Sequence, residues 1–183
     1  CCGQPTKINI LYGIDGRQEL PETTLDHLTG HGGAKPVRVG NEAFDQIQLD
    51  IYGELMDAVY LVNKYGEAIS HEGWKHTVEV ADQVCEIWNQ KDVGIWEMRG
   101  EQHHFLHSRL MCWVALDRAI RLASKRSLPA PFARWDQTRQ AIYADIWSNF
   151  WNEERGHFVQ HIGSTALDGS MLLMPLVLSL IHI

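Results

Sequence analysis

Apolar residues recur at helical spacing in four long stretches of the chain and one shorter one. The first, about residues 46–65, lines up Ile47, Ile51, Leu55, Ala58 and Val62 on one face, which predicts an amphipathic helix buried along that stripe. A second stretch, about 73–89, carries Trp74, Val78, Ala81, Val84 and Trp88. The third, 103–124, has the densest pattern, running through Phe105, Leu106, Leu110, Trp113, Val114, Ala119 and Ile120. A fourth follows Pro131, a residue suited to a first helical turn, and includes Phe132, Trp135, Ile142, Ile146 and Phe150. The shorter fifth would begin near Met171, capped by Asp168 or Ser170 and stopped or kinked by Pro175. No stretch reads convincingly as a strand, so the expected class is all-α, built from helical hairpins. No internal repeat is strong enough for a solenoid.

Connection lengths then sort the two ends of such hairpins. If successive helices run antiparallel, the long segments 11–45, 90–102 and 151–167 emerge at one end, and the short ones, 66–72 and 125–130, at the other. Binding and catalytic groups concentrate on loops held by a rigid scaffold, so the long-loop end is the expected functional end. The organisation expected is one domain with a loop-rich entry segment over 1–45, helical hairpins over 46–178, and a tail at 177–183 that departs from the rest.

Composition narrows the class of function. Of 183 residues, 45% are hydrophobic and seven are Trp, ample material for a core. A net charge of −7, with 16 Lys and Arg scattered thinly, lacks the phosphate-neutralising stripe of a nucleic-acid binder. The longest apolar run, "MLLMPLVLSLIHI", is too short to span a bilayer and is broken by Pro175, so no membrane partner is expected. Cys1, Cys2, Cys85 and Cys112 have no paired spacing. Cys85 and Cys112 fall on apolar helical faces, as small hydrophobes do in a reducing compartment, and the expected location is cytoplasmic. No motif requires a cofactor or specifies an oligomeric state.

Several residues could carry chemistry. In "KDVGIWEMRGEQHHF", Glu97 is set beside Ile95 and Trp96, where burial would penalise its charge and raise its affinity for a proton. Two readings are open there, a general acid with an indole wall and a loop glutamate paired with Arg99. Glu101 with His104, and Glu154 with His157, form E-x-x-H pairs like those of di-metal helix bundles. Gly156 interrupts the second pair and zinc order is missing, so no metal is expected. Trp96 and Trp151 flank long loops and suit stacking on a sugar ring, whereas Trp74, Trp88, Trp113, Trp135 and Trp147 read as core. Arg38 and Asn41, in the entry segment, are donors suited to hydroxyl-rich ligands, and a covering surface loop is the plain alternative. Asp50 stands near the loop end of the first helix, within reach of a ligand, while Glu54 and Asp57 lie deeper as structural groups. Arg118, Arg121, Arg126 and Arg139 read as solvated faces or ion pairs.

Taken together, the stretches "LYGIDG", "LPETTLDHL", "KPVRVGN", "QIQLDIYGELMDA", "DVGIWEMRGEQHHFLHSRLMCWVALDRAIRLA" and "LDGSMLLMPL" resemble the bacterial branch of glycoside hydrolase family 15, the glucoamylase family, which includes glucodextranase- and trehalase-like enzymes. That resemblance implies an (α/α)6 barrel with its active site at the long-loop end. It implies that Glu97 is the general acid of an inverting hydrolysis of α-glucosidic bonds in an oligosaccharide or disaccharide, with Trp96 as its apolar wall and Arg99, Arg38, Asn41, Gln48 and Asp50 as substrate contacts. The family's general base lies well downstream, and its upstream arginine-and-aspartate motif is missing, so the chain resembles an internal piece that would be inactive alone. Lys91, His31, Ala34 and Gly169 depart from the family's usual residues. A non-catalytic sugar-binding scaffold and a di-metal helix bundle are the rival classes.

Overall fold

In a computed structural model, residues 8–98 and 100–177 are described. The chain divides into two compact units, Asn9–Ile47 on one hand and Cys1–Ile8 with Gln48–Ile183 on the other.

The larger unit is helical: α1 (Asp50–Tyr65), α2 (His71–Ile87), α3 (Leu106–Arg126) and α4 (Phe132–Phe150). Their ends follow local chemistry. Ser70 accepts a hydrogen bond from Gly73 N–H and caps α2. Lys125 and Arg126 sit in the last turn of α3, where they complement the helix dipole, and Ser127 closes it in a left-handed conformation. Pro131 caps α4 from just outside its first turn. The fifth expected helix is instead a short 3-10 turn, Gly169–Leu173, led by Asp168 accepting from Ser170 N–H at 2.8 Å. Residues 178–183, most of the expected tail, lie outside the described residues.

The hairpins α1–α2 and α3–α4 enclose a core centred on α3, buried almost all the way round from Leu106 to Ala119. An all-α segment of helical hairpins is what the apolar spacing predicts. One face is different. α1 buries Tyr52, Gly53 and Met56 on its side toward α3, and the expected core residues Leu55 and Val62 are 39% and 64% exposed. Gly53 explains this rotation: a Cβ there would stand 2.3 Å from the Met111 carbonyl oxygen, so the two backbones touch and glycine faces inward. Ala58 and Val62 of the apolar stripe, with Ile69, instead line an open groove of about 510 Å³ between α1 and α2.

The arginines buried in α3 are paired with carboxylates, as desolvation requires. Asp117 accepts from Arg118 and Arg121 at 2.7 Å and from Arg139 at 3.0 Å, and Arg118 also reaches Asp57 at 2.6 Å. Arg109, 1% exposed, lies against Asp145, Asn89 and His104. Cys112 is fully buried, and both it and Cys85 are free thiols. Trp74, Trp113 and Trp135 are core, but Trp147 lies at the surface in an aromatic group with Trp151 and Phe158, a correction that the helical spacing alone could not supply.

Short connections meet at one end, where the Trp74 indole donates to the Pro129 carbonyl. Two long loops meet at the other. Residues 151–158 form a ribbon of β3 (Trp151–Asn152) and β4 (His157–Phe158). Beyond it, Phe105 pairs with His161, Leu106 N–H donates to Gln160 and Ile162 N–H to His104. No helix among the described residues is long and apolar enough to cross a membrane.

In the smaller unit, β1 (Thr23–Thr24) pairs antiparallel with β2 (Arg38–Val39). Both ribbons have strands of two residues, too short to show a period in sequence.

Candidate active site

At the long-loop end of the larger unit, the segment 92–98 is built from its base upward. Asp92 is fully buried and accepts from Leu49 N–H at 2.9 Å and from the Ser108 hydroxyl at 2.7 Å, joining the start of α1 to the start of α3. Burial pushes the Asp92 carboxyl up, opposed by those two donors. Backbone exchange between Asp92 and His103 closes the loop above it. Gly94, at φ +67, lies so close to the Phe105 ring that a Cβ would stand 2.9 Å from it. A tight turn follows, with Glu97 N–H on the Gly94 carbonyl and Met98 N–H on the Val93 carbonyl, both at 3.2 Å.

This turn buries Val93 and presents Trp96 and Glu97 outward. Glu97 is exposed, and the Trp96 ring is 59% exposed, so the apolar enclosure expected around this carboxyl is not formed by its sequence neighbours. The cause is the turn itself, which puts Glu97 at φ +49, a left-handed position uncommon for anything but glycine, asparagine or aspartate. The Trp96 indole N–H donates to both carboxylate oxygens of Asp168 at 3.0 Å. Asp168 also takes Gln160 Nε2 at 2.9 Å and Ser170 N–H at 2.8 Å. Burial alone would raise its carboxyl, but the hydrogen bonds from Ser170, Gln160 and Trp96 hold it below the usual carboxylate range.

Beneath the turn lies a second polar group. Asp50 opens α1 and His107 stands in the first turn of α3; both are buried, with His107 Nδ1 3.6 Å from an Asp50 oxygen. That gap is too long for a hydrogen bond, and both His107 nitrogens and Asp50 Oδ1 find no partner among the described residues. Burial, then the neighbouring Asp92, raises the Asp50 carboxyl to about 6, and burial lowers His107 to about 4. At neutral pH this is a carboxylate beside a neutral imidazole. Gln48, half-buried just before α1, has an unpartnered side-chain nitrogen.

Of the residues singled out in the sequence, Trp96 and Glu97 share one turn, and Gln48 and Asp50 lie at the α1 start tied to that turn's base through Asp92. Arg99 lies outside the described residues. Arg38 and Asn41 belong to the smaller unit, where Arg38 pairs with Glu22 at 2.8 Å and Asn41 accepts from Ala43 N–H as a cap. The di-metal arrangement needs both E-x-x-H pairs inside helices. Glu101 and Glu154 are instead exposed in loops, His104 is held by Arg109 at 2.8 Å, and His157 turns to the Phe158 carbonyl. Sequence reasoning took Asp168 only as a cap and His107 only as one of several helix-start histidines, and it missed Asp92.

The family described as glycosyl hydrolases family 15 matches residues 3–181. A trehalase of Mycobacterium tuberculosis is 39% identical over 169 residues, covering 92% of this chain and 25% of that protein. A trehalase of Mycolicibacterium smegmatis is 38% identical over 174 residues, 95% of this chain and 26% of the relative. One from Thermoplasma acidophilum is 33% identical over 171 residues, 93% and 29% respectively. The chain thus spans about a quarter of the length of the curated relatives it matches.

Proposed function

Since this chain belongs to glycosyl hydrolase family 15, we propose that it is the acid-bearing part of an inverting α-glucosidase, with trehalose as the substrate. The observation that carries this is similarity to three trehalases along nearly the whole chain, the Glu97 turn included. In the proposed reaction Glu97 protonates the glycosidic oxygen as the bond to the anomeric carbon breaks. A second carboxylate, supplied by the part of the catalytic domain outside this chain, activates water on the opposite face of the sugar. Inverting enzymes place the two carboxyl groups roughly 6.5–9.5 Å apart to leave room for that water.

Glu97 must carry its proton when substrate arrives. Its apolar cover comes from the remaining barrel helices and from the sugar itself, which displace water once they close over the exposed turn. Trp96 offers a flat, half-open ring for stacking on the sugar, and Arg99 and Gln48 supply donors for hydroxyl groups. The test is to incubate the full-length enzyme carrying this segment with trehalose, maltose and dextran and to follow the first-formed anomer by proton NMR. Trehalose should be cleaved fastest and release β- and α-glucose in equal amounts at first, the β anomer from the residue attacked by water and the α anomer from the residue that leaves. Exclusive release of α-glucose contradicts inversion, and preference for maltose or dextran contradicts the substrate. Calorimetric binding of trehalose without glucose release assigns a non-catalytic sugar-binding module instead.

A further inference from the structure

A non-glycine residue at φ +49 holds a strained position that persists only where its surroundings over-determine it. For Glu97, two backbone hydrogen bonds close the turn from within. From outside, the adjacent Trp96 ring is more than half exposed, so packing alone does not fix it. What fixes it is the forked hydrogen bond to Asp168, 72 residues away in sequence. Asp168 is anchored in turn: Ser170 N–H and the Gln160 amide hold its two oxygens, and the Gln160 carbonyl accepts from Leu106 N–H at the start of α3. A continuous line of hydrogen bonds therefore runs from the central helix through Gln160 and Asp168 to the indole beside Glu97.

We infer that Asp168 is a positioning residue for the catalytic acid: by clamping Trp96 it holds the Glu97 turn in its strained conformation, with the carboxyl aimed at one place. This rests on Glu97 being the acid, and the structural part of it, the indole–carboxylate clamp, does not. Misplacing a proton donor by about 1 Å costs on the order of 100-fold in rate. The loss should also depend on how much the leaving group needs a proton. Trehalose leaves as a sugar alkoxide and requires one; α-glucosyl fluoride loses fluoride, a far weaker base, and needs little help.

The experiment compares D168A, D168N, W96F, D168A/W96F and E97Q in the full-length enzyme on both substrates. D168A should lower kcat on trehalose on the order of 100-fold with KM little changed, and lower turnover of α-glucosyl fluoride far less. D168N, which keeps an acceptor for the indole, should recover most of that loss. W96F, which removes the indole N–H, should reproduce it, and the double variant should lose no more than either single one. Near-normal trehalose turnover by D168A beside an inactive E97Q overturns the clamp and leaves the acid standing. Equal losses on the two substrates, or additive losses in the double variant, also overturn it. Should D168A fail to fold, undiminished trehalose turnover in W96F overturns it instead. Normal turnover by E97Q removes the acid, and with it anything for the clamp to position.

Discussion

Replacing Gly53 with alanine sets two effects of opposite sign against each other. Helix propensity favours alanine over an interior glycine by about 1 kcal/mol. Against this, the added methyl would stand 2.3 Å from the Met111 carbonyl oxygen and 2.7 Å from its carbonyl carbon, whereas ordinary contact begins at 3.4 Å. α1 must retreat by about 1 Å, and because the obstacle is backbone of the central helix no rotamer change relieves it. Overpacking of this kind costs about 1–3 kcal/mol, and the rigid partner puts G53A in the upper part of that range, so the variant should be destabilised despite its better propensity. G73A is the control: its nearest neighbour is the flexible Ile69 side chain at 3.1 Å, and the expected change is small. Urea unfolding of the full-length enzyme, followed by circular dichroism and tryptophan fluorescence, gives both midpoints. A G53A midpoint at or above that of the unmodified protein would refute the inward orientation of Gly53, and with it the assigned face of α1.

Further expectations concern charge. D117A removes one of two carboxylates from each of Arg118 and Arg139; since Arg118 keeps Asp57 and Arg139 keeps Asp136, the cost should stay below about 3 kcal/mol, read from the same urea midpoint. Asp50 and His107 should shape stability with pH in opposite directions. Asp50, raised to about 6, binds its proton more readily when folded, so its contribution improves as pH falls from 6 towards 4. His107, lowered to about 4, binds its proton more readily when unfolded, so its contribution is lost as pH falls from 6.5 towards 4. The two offset in the unmodified protein; D50N should steepen the loss of stability below pH 6.5 and H107Q should reverse it, and parallel profiles would contradict the assignment. The 183-residue chain alone should release no glucose from trehalose, because one carboxylate cannot both donate the proton and activate the water.

The four helices were legible because their apolar residues repeat with the helical period, and the loop-length asymmetry placed residues 90–102 and 151–167 together at one end. The inward face of α1 was not. There the buried residues include a glycine, which carries no hydrophobic signal, while Ala58 and Val62 of the apolar stripe line an open groove. Charges inside α3 were equally hidden, since Asp117 and Arg118 are buried only by virtue of partners 61 residues upstream and 22 downstream. Around the candidate acid, sequence identified Trp96 and Glu97 but misjudged their surroundings, because adjacency to apolar residues does not reveal which side of a tight turn a carboxyl occupies. The Asp168 clamp could be read only as a cap, its second partner lying a whole hairpin away.

The proposed reaction turns on Glu97, and the most direct measurement is trehalose turnover by E97Q in the full-length enzyme. The expected result is a loss of about 10²–10⁴-fold with an unchanged circular dichroism spectrum and substantial retained hydrolysis of α-glucosyl fluoride. Trehalose turnover within a few-fold of the unmodified enzyme would contradict it.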